Sequence, residues 1–219
     1  MTSTATRDSY HHGDLANALA AAALDLARRG GPEAVVLREA ARQVGVSPTA
    51  AYRHFAGHDA LIDTIKHLCQ TELVGRMEAE LAAGTPEPDP GQEAIRRLRA
   101  LGVGYVRFAR EEPGLFRTAF CRSDARPGDQ WTAMLTAPGF VALTTTLDDM
   151  VRYGVLDAEH RAGAEMVAWT AVHGLAMLLL DGPLGALPSD DLDRIAERVH
   201  SAAIVGIIGH EPAQRGDAT

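Results

Sequence analysis

Lysine is nearly absent from the 219 residues, with Lys66 alone among 21 basic side chains. Cysteine is as scarce: Cys69 and Cys121 have no CxxC spacing. That excludes a disulfide framework and reads as two reduced, buried thiols. Aromatic residues make up only 5% and β-branched runs are few, which counts against a sheet, while abundant alanine favours helix. No apolar run is long enough to span a bilayer. The most apolar stretch, 166–180, includes Thr170 and His173 and reads as a buried or interface helix. The opening MTSTATRDSYHHGD has no apolar core, so no signal peptide and a cytoplasmic location are expected. Gly-rich phosphate loops, G-x-S-x-G and HExxH are missing too, and no enzyme is expected. Of nine histidines only His54 and His58 are spaced i, i+4, and a turn is expected between them. No metal or cofactor is therefore anticipated. The acidic groups Asp148-Asp149 and Asp190-Asp191-x-Asp193 read as a solvated face and a helix start.

What is present is helix pattern and an uneven charge. The net charge of −8 taken whole argues against a polyanion partner. Residues 1–60, however, carry six Arg against six Asp/Glu, and the remaining 159 carry 15 positive and 23 negative groups. The excess acid lies outside the first sixty residues, which permits contact with a phosphate backbone there. Apolar positions Leu15, Leu19, Ala22 and Leu26 share one helical face, closed by Gly30-Gly31-Pro32. Short helices are expected over 37–44 and from Ser47-Pro48 to about His54, then a long one over 58–83. GTPEPDPG (84–91) is punctuation. Further helices are expected over 92–110, 115–120, 130–153 (interrupted near Pro138-Gly139), 158–181 and 189–209. The fold class is all-α with about nine helices, divided into a head at 10–57 and a body at 58–210.

The informative segment is LREAARQVGVSPTAAYRHF, 37–55. A helix-turn-helix needs a small residue where its helices cross (Ala41), a glycine four residues on (Gly45), an apolar turn residue (Val46) and a small residue inside the second helix (Ala51). Ser47-Pro48 supplies the start of that helix. The alternative is an ordinary αα-corner, which shares the glycine and the small residues.

GVSPTAAYRHFAGHDALID (45–63), with the lead-in YHHGDLANALAAAALDLARRGGPEAV, resembles the recognition-helix signature of the TetR family. WTAVHGLAMLLLDG (169–182) resembles the Trp-x-x-x-His-Gly pattern of one subgroup. The resemblance implies a helix-turn-helix head on a helical, dimerising, ligand-sensing body. It also implies duplex contacts. Tyr52 and His54 would meet phosphates, as would Ser47 with the free N–H groups of its helix start, and Pro48 and Arg53 would join the DNA contact. Thr49 and Ala50 would face base edges, and Arg38 stands where a guanine-reading arginine belongs. His58 replaces the family's usual lysine, and Val36 replaces a capping Ser or Thr. Against this, Tyr52 reads equally as a core residue beside Phe55, Arg53 as a solvated charge, and His11-His12 as a tail or an arm.

In the body, Leu192, Ile195, Val199, Ala202 and Gly206 form a stripe suited to helix-on-helix packing, and an apolar helix beside it implies a homodimer on a palindromic operator. Candidate effector-lining residues are Tyr105, Phe108, Phe116, Phe120, Trp131, Met134, Met166, Trp169, His173 and Met177. His173 is the least expected in an apolar helix unless it is hydrogen-bonded. The scarcity of other polar groups suggests an apolar small-molecule effector. The expected function is a ligand-released repressor, the alternative a helical adaptor that no longer binds DNA.

Overall fold

The computed structural model describes residues 5–122 and 127–209. They form ten α-helices and three short 3-10 turns, with no strand among the described residues. The helices are α1 (Ala5–Gly30), α2 (Leu37–Val44), α3 (Pro48–Tyr52), α4 (His58–Ala83), α5 (Pro90–Glu111), α6 (Pro113–Phe120), α7 (Pro127–Leu135), α8 (Pro138–Arg152), α9 (Ala164–Leu180) and α10 (Ser189–Ile208). Ten replaces the expected nine because Pro138 does more than bend one helix. It takes the N1 position of α8, where its missing N–H costs nothing, and so separates α7 from α8. α1 reaches back to Ala5, ahead of the start expected at Asp14. The readings of His11 and His12 fall on side chains outside those described.

Two compact units divide the chain: Met1–Leu73 with Glu111–Met134, and Val74–Arg110 with Leu135–Thr219. In the first, α1 packs on α2 and α6, and α2 on α3. The i, i+4, i+7 pattern of α1 has its reason here: Leu19, Ala23, Leu26 and Ala27 are buried, as are Val35, Leu37, Ala40, Ala41, Ala51 and Phe55. Gly114 on α6 lies against the end of α1, where an added Cβ would stand 2.2 Å from the Ala27 carbonyl oxygen and 2.6 Å from that of Arg28. Arg28 Nε also donates to Glu112 Oε2 at 3.1 Å.

The second unit is built on α5, α8, α9 and α10. Ala94, Leu98, Leu143, Leu147, Met150, Leu156, Ala168, Ile204 and Ile207 form one core cluster. A smaller one gathers Leu192, Ile195, Ala196 and Val199 of α10 around Val106, Leu175 and Leu179. The stripe read from the sequence as one intersubunit face is therefore divided. Leu192, Ile195 and Val199 turn inward onto α9 and α5, while Ala202, Val205 and Gly206 remain exposed. The physical reason is that α9 is apolar on nearly every side and takes α10 as cover within the same chain. No described helix is long and apolar enough to cross a membrane.

Candidate nucleic-acid interface

The surface around α3 is built by its turn. Gly45 ends α2 in the left-handed region (φ 79°, ψ 26°), a conformation that penalises any side chain with a Cβ. The Val46 N–H then returns to the Ala41 carbonyl at 3.0 Å, which closes α2. Ser47 adopts extended backbone and its Oγ accepts from the Ala50 N–H at 3.2 Å, so α3 begins with a filled cap and with Pro48 in its first turn. Ala41 and Ala51 are fully buried where the two helices meet.

With the buried side fixed, the rest faces solvent. Arg38, Ser47, Pro48, Thr49, Tyr52, Arg53 and His58 are exposed, and Ala50 and His54 are half-buried. Tyr52 is 47% exposed whereas Phe55 is 7% exposed, so the aromatic pair divides into one surface ring and one core ring. His58 Nδ1 lies 3.2 Å from Asp59 Oδ1.

Most arginines of the second unit are paired, with Arg152 and Arg198 the exceptions among the described residues. There, Arg96 pairs with Glu93, Arg97 with Asp149, Arg99 with Glu197, Arg107 with Glu80, Arg110 with Asp193, and Arg161 with Asp148 and Glu165. Near α3, Arg42 is likewise held by Glu39 through two hydrogen bonds of 2.8 and 2.6 Å. That bonding keeps the Glu39 carboxyl down at about 2. Arg38 and Arg53 take part in no ion pair among the described residues. Their guanidinium groups remain available to an outside anion. Val36, at the N-cap of α2, offers no side-chain cap; its carbonyl takes the Glu39 and Ala40 N–H groups, which leaves those of Leu37 and Arg38 without a side-chain cap.

Two family descriptions cover most of the chain: "Bacterial regulatory proteins, tetR family" matches residues 19–65, and "Tetracyclin repressor-like, C-terminal domain" matches residues 98–203. The chain belongs to the TetR family. It is a DNA-binding transcriptional regulator. Among solved structures, a protein of unknown function from Rhodococcus sp. RHA1 is similar at 24% identity with a TM-score of 0.71, covering 91% of this chain and 98% of that one. A structure described as "putative regulatory protein SCO4313" is similar at 18% identity with a TM-score of 0.59, covering 90% and 98%. Both likenesses concern the fold. No curated protein matches the chain.

The candidate effector residues of this TetR-family chain lie in both units. In the second unit, Tyr105, Trp169 and His173 come together. Tyr105 Oη is 2.8 Å from His173 Nδ1, and Trp169 Nε1 donates to the same hydroxyl at 3.3 Å. Phe140 meets the Trp169 ring edge-on at 6.3 Å. Tyr105 is buried, and desolvation raises its hydroxyl above the ordinary phenol value; desolvation also lowers the His173 imidazole. The ring is therefore neutral near pH 7. Phe108 is buried, Met166 half-buried, and Met177 40% exposed. In the first unit, Phe116 is fully buried and packs on Phe120 at 4.9 Å, Met134 is half-buried, and Trp131 is 50% exposed. The hydrogen-bonded trio was not legible as a unit in the sequence, since Tyr105 and His173 are 68 positions apart. The one signal was a histidine in an apolar helix. Burial pushes the Cys69 thiol up to about 12 and raises that of half-buried Cys121 as well, which disfavours the thiolate at both.

Proposed function

We propose that the chain is a cytoplasmic repressor that grips a palindromic operator as a homodimer and releases it when a small, largely apolar effector binds its body. The observation that carries this reading is the exposed first turn of α3, with Thr49 outward and Arg38 and Arg53 unpaired on a protein whose net charge is −8. Thr49 and Ala50 would read base edges, Arg38 a guanine, and Ser47, Tyr52, Arg53 and His54 the flanking phosphates.

Support for a homodimer comes from α9 and α10. Val167, Thr170, Gly174 and Met177 share one exposed face of α9, and Ala202, Val205 and Gly206 are exposed on α10. A Cβ added at Gly174 or Gly206 would meet nothing within 4 Å. Mid-helix glycine costs about 1 kcal/mol relative to alanine, and no contact within the chain offsets that. Close approach by a second copy does, and two-fold symmetry then matches a palindrome. Met177 belongs to this face, and the effector site is centred on Tyr105, Trp169 and His173, with Phe108 and Met166 about a turn away on the same helices.

The test is duplex binding as a function of salt. A regulator that neutralises several phosphates loses affinity with a slope of about −0.9 per phosphate on a log–log plot. A shallow slope, or no preference among sequences at low salt, would favour the adaptor reading. Release by an apolar effector that is blunted in His173→Ala supports the sensor; an unchanged response removes His173 from it.

A further inference from the structure

His200 on α10 is 5% exposed, and neither of its ring nitrogens has a hydrogen-bond partner among the described residues. Buried polar side chains are nearly always satisfied, because leaving one unpaired costs about 1–3 kcal/mol. The ring is wedged against α5 and α9. A Cβ on Gly102 would stand 3.1 Å from His200 Cδ2 and 3.2 Å from Nε2, with Val172 Cγ1 at 3.4 Å. Glycine at 102 is what makes room for an imidazole at this crossing.

Charge reaches the ring from α5 and from α10 itself. α5 brings Arg99, which opposes a second positive charge, and the Gly102 main chain, which favours one without reaching hydrogen-bonding geometry. α10 itself brings Glu197, which favours the charged form. α9 brings the Val172 side chain to the crossing, and none of the charges acting on the ring comes from α9. Arg99 and Glu197 pair with each other at 2.5 Å, and Ser201 joins them, so their fields largely cancel at the ring. Desolvation is then the largest influence, and it lowers the imidazole below its ordinary value.

We propose that His200 is a proton-operated latch between α5 and α10: neutral, it lets the helices close upon it, and charged, it drives them apart. In the unfolded chain the imidazole takes its proton near pH 6.5, and in the fold it takes it lower. Its contribution is therefore intact above about pH 6.5 and is lost as pH falls below that value. One proton taken up on unfolding changes the unfolding constant by up to about tenfold per pH unit. By about pH 5 the loss reaches up to about thirtyfold. Since α10 also carries the exposed Ala202–Val205–Gly206 surface, acid would loosen the dimer as well; that consequence rests on the pairing face proposed above.

The experiment compares the full-length wild type with His200→Gln and His200→Leu in urea unfolding and amide exchange, from about pH 8 to about pH 5. Every other histidine is shared, so the difference isolates this ring. The expected result is a wild-type unfolding constant that rises up to about thirtyfold more than that of either variant, with faster exchange along α10. Parallel losses in all three proteins would overturn the proposal. If His200→Gln does not fold, His200→Leu makes the same comparison without a polar group to satisfy. Duplex binding, followed in parallel, separates the two readings. A latch that responds while dimer and operator affinity do not would support His200 and count against the pairing face alone.

Discussion

Replacing Gly114 with alanine tests how the first unit holds α6 against α1. The new Cβ would stand 2.2 Å from the Ala27 carbonyl oxygen, 2.6 Å from that of Arg28 and 3.0 Å from the Arg28 carbonyl carbon. All three atoms are main chain at the end of a helix, so no side chain can swing aside. The contact must lengthen by about 1 Å to reach ordinary van der Waals separation. Moving α6 by that much also strains the Arg28–Glu112 hydrogen bond of 3.1 Å. Overpacking of this kind costs about 1–3 kcal/mol. At this chain length each kcal/mol lowers the melting temperature by about 2–4 °C, so a fall of about 2–12 °C is expected in thermal denaturation followed by circular dichroism. Gly75→Ala is the matched control, because it lies within α4 and an added Cβ there meets nothing within 4 Å. Relief of the glycine penalty should raise that variant's melting point slightly. A Gly114→Ala protein that melts at or above the wild-type temperature would refute the reasoning.

Ser47→Ala removes the cap that accepts the Ala50 N–H. A loss of about 0.5–2 kcal/mol is expected, together with weaker operator binding from a frayed α3; unchanged amide exchange across 49–52 would contradict it. Tyr105→Phe strips the hydroxyl shared by Trp169 and His173 and leaves both ring groups unpartnered by it. Stability should fall by about 1–3 kcal/mol, and the tryptophan emission should change with it. An unaltered spectrum would show that the trio does not hold the indole in place.

Much of this molecule could be read in its sequence where chemistry is local. The turn was legible because left-handed backbone asks for Gly45, a helix start asks for Ser47-Pro48, and a tight crossing asks for Ala41 and Ala51. Each need is met within nineteen consecutive residues (37–55). The class of the fold followed from alanine and from the 3.6 period in the same way. Less legible was everything that depends on who packs against whom. Period alone put Leu192, Ile195, Val199, Ala202 and Gly206 on one stripe of α10, but it did not say that α9 of the same chain would cover the first three. Nor could it separate α7 from α8, since a proline inside an apolar pattern either kinks a helix or begins one. The linkage of Tyr105 to His173 and the stranded ring of His200 come from helices far apart in sequence, and only the packed body brings them together.

Operator recognition depends most on the outward surface of α3 reading bases. The direct measurement selects bound duplexes from a random pool with the wild type, Arg38→Ala and Thr49→Ala. A palindromic site is expected for the wild type. Each variant should lose discrimination at one symmetry-related position, by about 1–3 kcal/mol. Equal weakening on every sequence would make these residues backbone contacts, and a wild type that enriches no sequence at all would contradict the account.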